Sequence, residues 1–279
     1  LYPLSQTILY SFSNVTITPQ GTETAPVGFK NYTDVLFTDP DFTLGIPTFL
    51  RQMVFMVPMI VVFSLLFALL LNSHIRGQRI YRAIFFLPVI LISGPVLERI
   101  RQVGATNLPG VDSFFVFQFI YNQVPPVLSS PIQYIISNIV LIFWFSGVQV
   151  LIFLSGLQKV DNSLYEASMV DGASAWQRFW KITIPVVKPF ILLIAVYTVV
   201  DIALSSLSPF TKVIQDGMFA PSKGFGFSSA ASWLYFLFVL AALLLAFLVF
   251  GRKEKDPMRQ KDKERRRAAR RAEKRHRQA

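Results

Sequence analysis

A chain of 279 residues that is 53% hydrophobic and only 15% charged does not suit a soluble domain, where roughly a quarter of residues are charged. It has no cysteine, which excludes disulfides and thiolate metal sites, and its two histidines, His74 and His276, make no metal-ligand spacing. The formal charge of +11 comes without any G-x-x-x-x-G-K-[ST] stretch, so nothing in the chain marks it as hydrolysing a nucleotide.

In chain order, "LYPLSQTILYSFSN" starts apolar and lacks the basic flank of a signal peptide. It reads as the end of a truncated first span, with an outer segment completing residues 1–49. Five apolar runs follow, at 50–71, 83–100, 131–157, 189–209 and 229–250. Each is long enough for the roughly 30 Å of bilayer hydrocarbon. Pro58, Pro88 and Pro95 fall within spans, where neighbouring helices can satisfy the freed carbonyls. Glu98, Arg99 and Arg101 stop the second run near Leu97.

Lysine and arginine set the orientation. The tail 251–279 holds fourteen basic against five acidic residues and is expected in the cytoplasm. Its "KDKERRRAARRAEKRHRQ" admits a nucleic-acid arm, but a positive anchor beside anionic lipid already explains it. Counting spans backwards puts 72–82, with three arginines, and 158–189, with Lys159, Arg178, Lys181 and Lys188, on the same side. Segments 1–49, 101–130 and 210–228 then lie outside.

The loop 158–189 separates two of the runs. Ser163 and Glu166 have capping-box spacing, as do Ser174 and Gln177. Gly172 between them suits a left-handed helix terminus, and the second helix is expected to end or bend near Pro185. Trp176, Phe179 and Trp180 share a face of it, continued by Thr183. Such a helix–glycine–helix knob either rests its rings on the membrane interface or docks into another protein.

"EASMVDGASAWQRFWKITIPVVKP" (166–189) carries Glu166, Ala167, Asp171, Gly172, Ala173, Phe179, Ile182, Pro185 and Pro189. At these positions it resembles the EAA loop of ABC importer permeases, with Ser168 and Ile184 where alanine and leucine are usual. "VGFKNYTDVL" (27–36) and "ALLLNSHIRGQRIYRAIFFLPVILISG" (68–94) resemble segments of the sugar and oligosaccharide branch, to which maltose permeases belong. The resemblance implies an all-α polytopic membrane protein, a type I ABC importer transmembrane domain of about six spans with the first truncated here. It divides the chain into the segment 1–49, a permease core 50–250 with a coupling loop at 158–189, and a basic cytoplasmic tail 251–279.

The same resemblance implies a transport subunit and not an enzyme. It has no cofactor or metal of its own, since ATP is bound by partner subunits. The partners would be a cytoplasmic ABC ATPase dimer, a second homologous permease subunit, an extracytoplasmic solute-binding protein and membrane lipid, with no nucleic acid. The location would be a bacterial or archaeal cytoplasmic membrane. ATPase coupling would fall to Glu166, Ala167, Asp171, Gly172, Ala173, Phe179 and Pro185.

Intramembrane charge marks translocation paths, which lie near the bilayer midplane. Asp201 is the one carboxylate well inside a span, with Tyr197 and Ser205 on its helix face. Trp144, Phe145 and Gln149 offer rings and an amide on the span before the loop. Rings and hydroxyl-binding groups suit a sugar. Lipid contact or helix packing explains Trp144 and Phe145 equally well, and Asp201 admits a structural interhelical bond or a cationic cargo such as a polyamine. Phosphate esters and peptides are further cargoes of related permeases. An ion-coupled secondary transporter would instead need carboxylates in several spans.

Overall fold

The computed structural model describes residues 2–18, 21–73, 124–220 and 223–251, with Ile80 and Arg99 besides. The apolar run at 83–100, both histidines and the tail beyond Gly251 lie outside the described residues.

The chain opens with helix α1 (Tyr2–Ser11) and an antiparallel hairpin, β1 (Ser13–Thr18) and β2 (Gly21–Pro26), in which Ser13 opposes Pro26. The hairpin is an addition to the all-helical expectation. Its threonines and Val15 favour strand, but two strands alone are marginal, so packing decides. The hairpin lies on the start of helix α12 (Gly224–Phe250), where a Cβ on Gly226 would collide with the Ser13 carbonyl oxygen. Asn31 Nδ2 donates to the carbonyls of Ser11 and Ser13, both at 3.0 Å.

Helix α2 (Lys30–Thr33) passes through a π-helical turn, Asp34–Thr38, into α3 (Pro40–Arg51). Asp39 caps α3 by accepting from the Phe42 amide at 2.9 Å, and Pro40 fills the first turn, where its missing N–H costs nothing. A second π turn, Gln52–Met56, joins α3 to α4 (Val57–Asn72). The span expected at 50–71 is therefore the later part of a 33-residue helix from Pro40 to Asn72.

The run expected as one span at 131–157 is broken. Helices α5 (Pro126–Ser137) and α6 (Ile139–Phe145) meet at a 59° bend. At that bend the Asn138 side chain donates to the Tyr134 carbonyl at 2.8 Å, a bond that competes with the helix ladder. Ser146 makes a like bond to Ile142, 2.5 Å, before α7 (Gly147–Leu157) begins.

The loop holds α8 (Asn162–Val170), α9 (Ala175–Arg178) and a third π turn, Phe179–Thr183, which leads directly into α10 (Ile184–Leu204). The chain thus neither ends its helix nor breaks at Pro185. The π turn, which ends two residues earlier, absorbs the change of register and leaves Pro185 in the first turn of α10. The span expected to reach 209 stops at Leu204, because Pro209 opens α11 (Pro209–Phe219). Tyr235 pins this corner: its hydroxyl donates to the Ala203 carbonyl at 2.6 Å and accepts from Ser208 Oγ at 2.9 Å.

Three helices among the described residues are long and apolar enough to cross a membrane, four with the bent pair. The core joins α4, α7, α10 and α12 around buried Ile60, Phe153 and Ile194, extended by Phe42 against Phe210 at 4.7 Å. Helix α7 approaches α10 so closely that a Cβ on Gly156 would meet the Phe190 ring at 2.9 Å.

Candidate functional site

The knob is built as a hairpin of two short helices. Asp161 opens α8, its carboxylate accepting from the Ser163 amide at 3.0 Å. That bond holds the Asp161 carboxyl below the usual carboxylate range. The cap expected at Ser163 is therefore displaced. Asp161 captures the amide two positions on, and Ser163 is already inside the helix, with no bond back from Glu166.

The other end of α8 follows the sequence expectation. Gly172 sits at φ +76°. Its amide donates to the Met169 carbonyl at 3.1 Å and that of Ala173 to Ser168 at 2.9 Å. Together these form the paired bonds of a Schellman terminus. The capping box at Ser174 is complete: Ser174 Oγ accepts from the Gln177 amide at 3.2 Å, and Gln177 Oε1 accepts from the Ser174 amide at 2.9 Å.

Tyr165 and Thr183 then tie the two arms together, hydroxyl to hydroxyl, at 2.8 Å. Trp176, Phe179 and Trp180 form one aromatic cluster with ring centroids 5.2–6.1 Å apart. No residue of α8 is buried. Val170 is 88% exposed, Trp176 69% and Trp180 51%. Glu166 and Asp171 are exposed and bind nothing among the described residues. A tip that presents apolar side chains and two free carboxylates is a surface with no cover among the described residues.

The intramembrane residues divide across two faces of α10. Gln149 and Phe145 are buried inside the bundle, and Gln149 Nε2 donates to Thr198 Oγ1 at 3.1 Å. On the other face Tyr197 is 38% exposed, Asp201 is half-buried and Leu204 is exposed. Ser205 is half-buried just past the end of α10, its hydroxyl returned to the Ile202 carbonyl at 2.7 Å. The six residues do not form one cluster within this chain. Gln149 Oε1 and Trp144 Nε1 are nonetheless buried without a hydrogen-bond partner, which is costly in a low-dielectric interior.

Sequence reasoning missed several polar residues. Thr198, the partner of Gln149, lies 49 positions away, and no spacing rule reaches that far. At the opposite end of α10 from the knob, Lys223 forms an ion pair with the buried Asp39, joining the starts of α3 and α12. A cavity of about 600 Å³ opens beside the pair, lined by Asn14, Lys30, Asn31 and Asp34 among others. The sequence "DPD" at 39–41 signals the cap on α3 but not the lysine that reaches it. Among the described residues no cluster of His, Asp and Glu could hold a metal.

Residues 41–252 match the model of the family described as binding-protein-dependent transport system inner membrane component. The probable ABC transporter permease protein YesP of Bacillus subtilis is 28% identical, covering 88% of this chain and 83% of its own. The multiple sugar-binding transport system permease protein MsmF of Streptococcus mutans is 30% identical, covering 69% of this chain and 65% of its own. In fold, the chain is similar to a crystal structure of a bacterial ABC transporter involved in the import of the acidic polysaccharide alginate. The TM-score is 0.58 at 19% identity, with 91% of each chain covered.

Proposed function

The chain belongs to the family of binding-protein-dependent transport system inner membrane components, and from that membership we propose that it is the membrane-spanning permease subunit of an ATP-driven importer for a sugar or oligosaccharide. The observation that carries the proposal is the exposed knob of α8 and α9, ordered by the Gly172 terminus and the Ser174 capping box yet uncovered among the described residues. An ATPase subunit on the cytoplasmic side grips it. Gly172 lets the turn lie flat, Ala167 and Ala173 keep the contact shallow, and Glu166 and Asp171 offer charges for the partner's cations. Phe179 anchors the aromatic cluster, and Pro185 sits where the knob runs into α10. Closure of two ATPases around ATP then moves the loop as a rigid body.

The core 50–250 forms the pathway, the loop 158–189 couples it, 1–49 faces outward, and the basic tail 251–279 stays in the cytoplasm. A second homologous permease covers the outward face of α10, so that Tyr197, Asp201 and Ser205 border the path between the two subunits. Phe145, Trp144 and Gln149 support that path from within the bundle. A solute-binding protein delivers the cargo at the face bearing the hairpin. A sugar is supported by the names of the relatives and by this mix of rings and neutral polar groups. One observation favours a second cargo class, a polyamine or other cation: Asp201, a half-buried carboxylate within α10.

Cysteine placed at Ala173 in the assembled complex tests the coupling. Crosslinking to the co-purified ATPase that varies with ATP supports the reading. Failure to recover any ATPase with the chain, or uptake that persists without ATP, overturns it.

A further inference from the structure

The cavity of about 600 Å³ beside Asp39 and Lys223 has the size of a small-molecule site, roughly 300–1,000 Å³. Asp39 and Lys223 are spent on each other. Asn31 is not fully spent. It is only 9% exposed, and its amide nitrogen donates to the Ser11 and Ser13 carbonyls, both at 3.0 Å. Only the nitrogen can donate to those two oxygens, which fixes the amide's orientation and turns Oδ1 the other way. Among the described residues that Oδ1 accepts no hydrogen bond, and it is not shut off from solvent as Gln52 Oε1 is. A side chain nine-tenths buried thus offers a free acceptor to the cavity it lines, and such an acceptor calls for a partner. The π turn Asp34–Thr38 brings Asp34 and Thr38, four positions apart, to the same cavity; turns of this kind recur at functional sites. Asn14 of β1, Lys30 and Asp41 complete the rim. None of these five side chains bonds another group among the described residues.

We propose that this cavity binds a neutral di- or trisaccharide, a cargo molecule held at the outer face before it enters the path. The inference rests on the importer reading, which puts this end of α10 outside. The wall selects the ligand class. Asn31 Oδ1 and the carboxylates of Asp34 and Asp41 can only accept, Lys30 can only donate, and Asn14 and Thr38 do either. A sugar hydroxyl both donates and accepts, so one polyol engages every kind of group present. Two free carboxylates against one free lysine disfavour an anion. An acyl chain would strand these groups without partners. A polyamine would satisfy the carboxylates, but it meets Lys30 with like charge and offers that lysine no acceptor.

The chain has no cysteine, so one introduced thiol reports on the cavity. Thr38→Cys, at an exposed lining position, is placed in the full chain assembled with its partners in lipid nanodiscs. Its labelling rate by a charged thiol reagent is read from the mass of this chain. Trehalose, maltotriose and raffinose, each at saturating concentration and without binding protein, are the probes. At least one should slow labelling several-fold, while Phe37→Cys, 84% exposed and outside the cavity, should label at an unchanged rate. The protection should vanish when Asp34→Ala is added and survive Asp201→Asn, which alters only the proposed path. Protection lost with Asp201→Asn but kept with Asp34→Ala reports the path and overturns the site. Protection by binding protein alone means that a protein surface fills the cavity, and overturns it too. Sugars that are taken up in proteoliposomes yet leave labelling unchanged overturn this site while the sugar reading stands. Protection by spermidine alone, with none of the sugars taken up, overturns both.

Discussion

Replacing Gly172 separates two roles that a glycine at φ +76° can have. An L-residue held in that left-handed conformation costs roughly 1–2 kcal/mol, and less for Asn or Asp, whose short side chains bond locally. A Cβ built on Gly172 meets nothing within 4 Å, so no clash adds to the strain. Both terminal bonds, from the Gly172 and Ala173 amides, stay in place. Gly172→Asp and Gly172→Asn should therefore lower folding stability by about 1 kcal/mol or less, and Gly172→Ala by slightly more. A domain stable by about 5–15 kcal/mol tolerates either.

In a cleft closed around the knob the ranking reverses. Extra volume at a close-packed contact costs about 1–3 kcal/mol, Asp adds a charge to be desolvated, and each 1.4 kcal/mol is about tenfold in affinity. Coupling should thus fall in the order Gly, Ala, Asn, Asp, with Gly172→Asp retaining on the order of one hundredth of transport. The assays are melting temperature of the purified chain, and uptake with binding-protein-stimulated ATP hydrolysis in proteoliposomes at matched assembly. If transport instead follows stability, with Ala worse than Asp, the glycine serves the backbone alone and the docking role is wrong.

Asp201→Asn keeps the volume and removes the charge. A neutral sugar should lose the equivalent of one charge-assisted bond, about 1.5–3 kcal/mol, whereas near-complete loss confined to polyamines in an uptake panel would sink the sugar cargo. Gly226→Ala should drive the hairpin off α12, since its Cβ meets the Ser13 carbonyl; hydrogen exchange of the amides in 13–26 should quicken, and unchanged protection would refute the contact. Asp39→Ala should cost about 3 kcal/mol in thermal unfolding, the low end for breaking a buried pair, because Lys223 is partly solvated. Asp39→Asn, which preserves the cap on Phe42, should cost about 1 kcal/mol less. Because Asp161 is held below the ordinary carboxylate range, its stabilisation of α8 should be complete above that range and fade only as pH falls through the lowered folded value. Protection of the Ser163 amide that changes between neutral and mildly acidic pH would contradict this.

The parts of the fold written in local sequence were legible. Gly172, the Ser174–Gln177 box and the ring cluster at Trp176, Phe179 and Trp180 follow from spacings of three or four residues, and the structure builds each as expected. The four apolar runs within the described residues are helical, but their ends are not where hydropathy stops. Pro40, Asn138 and Leu204 set those limits through caps and side-chain bonds that a window average cannot see. Ser163 failed as a cap because Asp161 competed from two positions upstream. The sequence places Tyr197, Asp201 and Ser205 on one face of a span and Trp144, Phe145 and Gln149 on the span before the loop, but not on which side of α10 each set lies; Gln149 and Asp201 lie on different sides of it. Which side is inward depends on Thr198, Ile194 and the close approach at Gly156, all long-range facts.

Among the described residues, π turns precede α3, α4 and α10. The last has a mechanical consequence. Because Phe179–Thr183 joins the knob to α10 without a loop, the tip and the 21 residues of α10 form one stiff lever rather than a tether. At 1.5 Å per residue its arm is about 30 Å, so a tilt of about 5° applied at the knob displaces the Leu204 end by roughly 2.5 Å. Tyr235 bonds that far end through the Ala203 carbonyl, so such a displacement would be passed on to α12. A lever of this kind trades force for travel, and its gearing is set by where the π turn sits in the sequence, not by the strength of the grip on the knob.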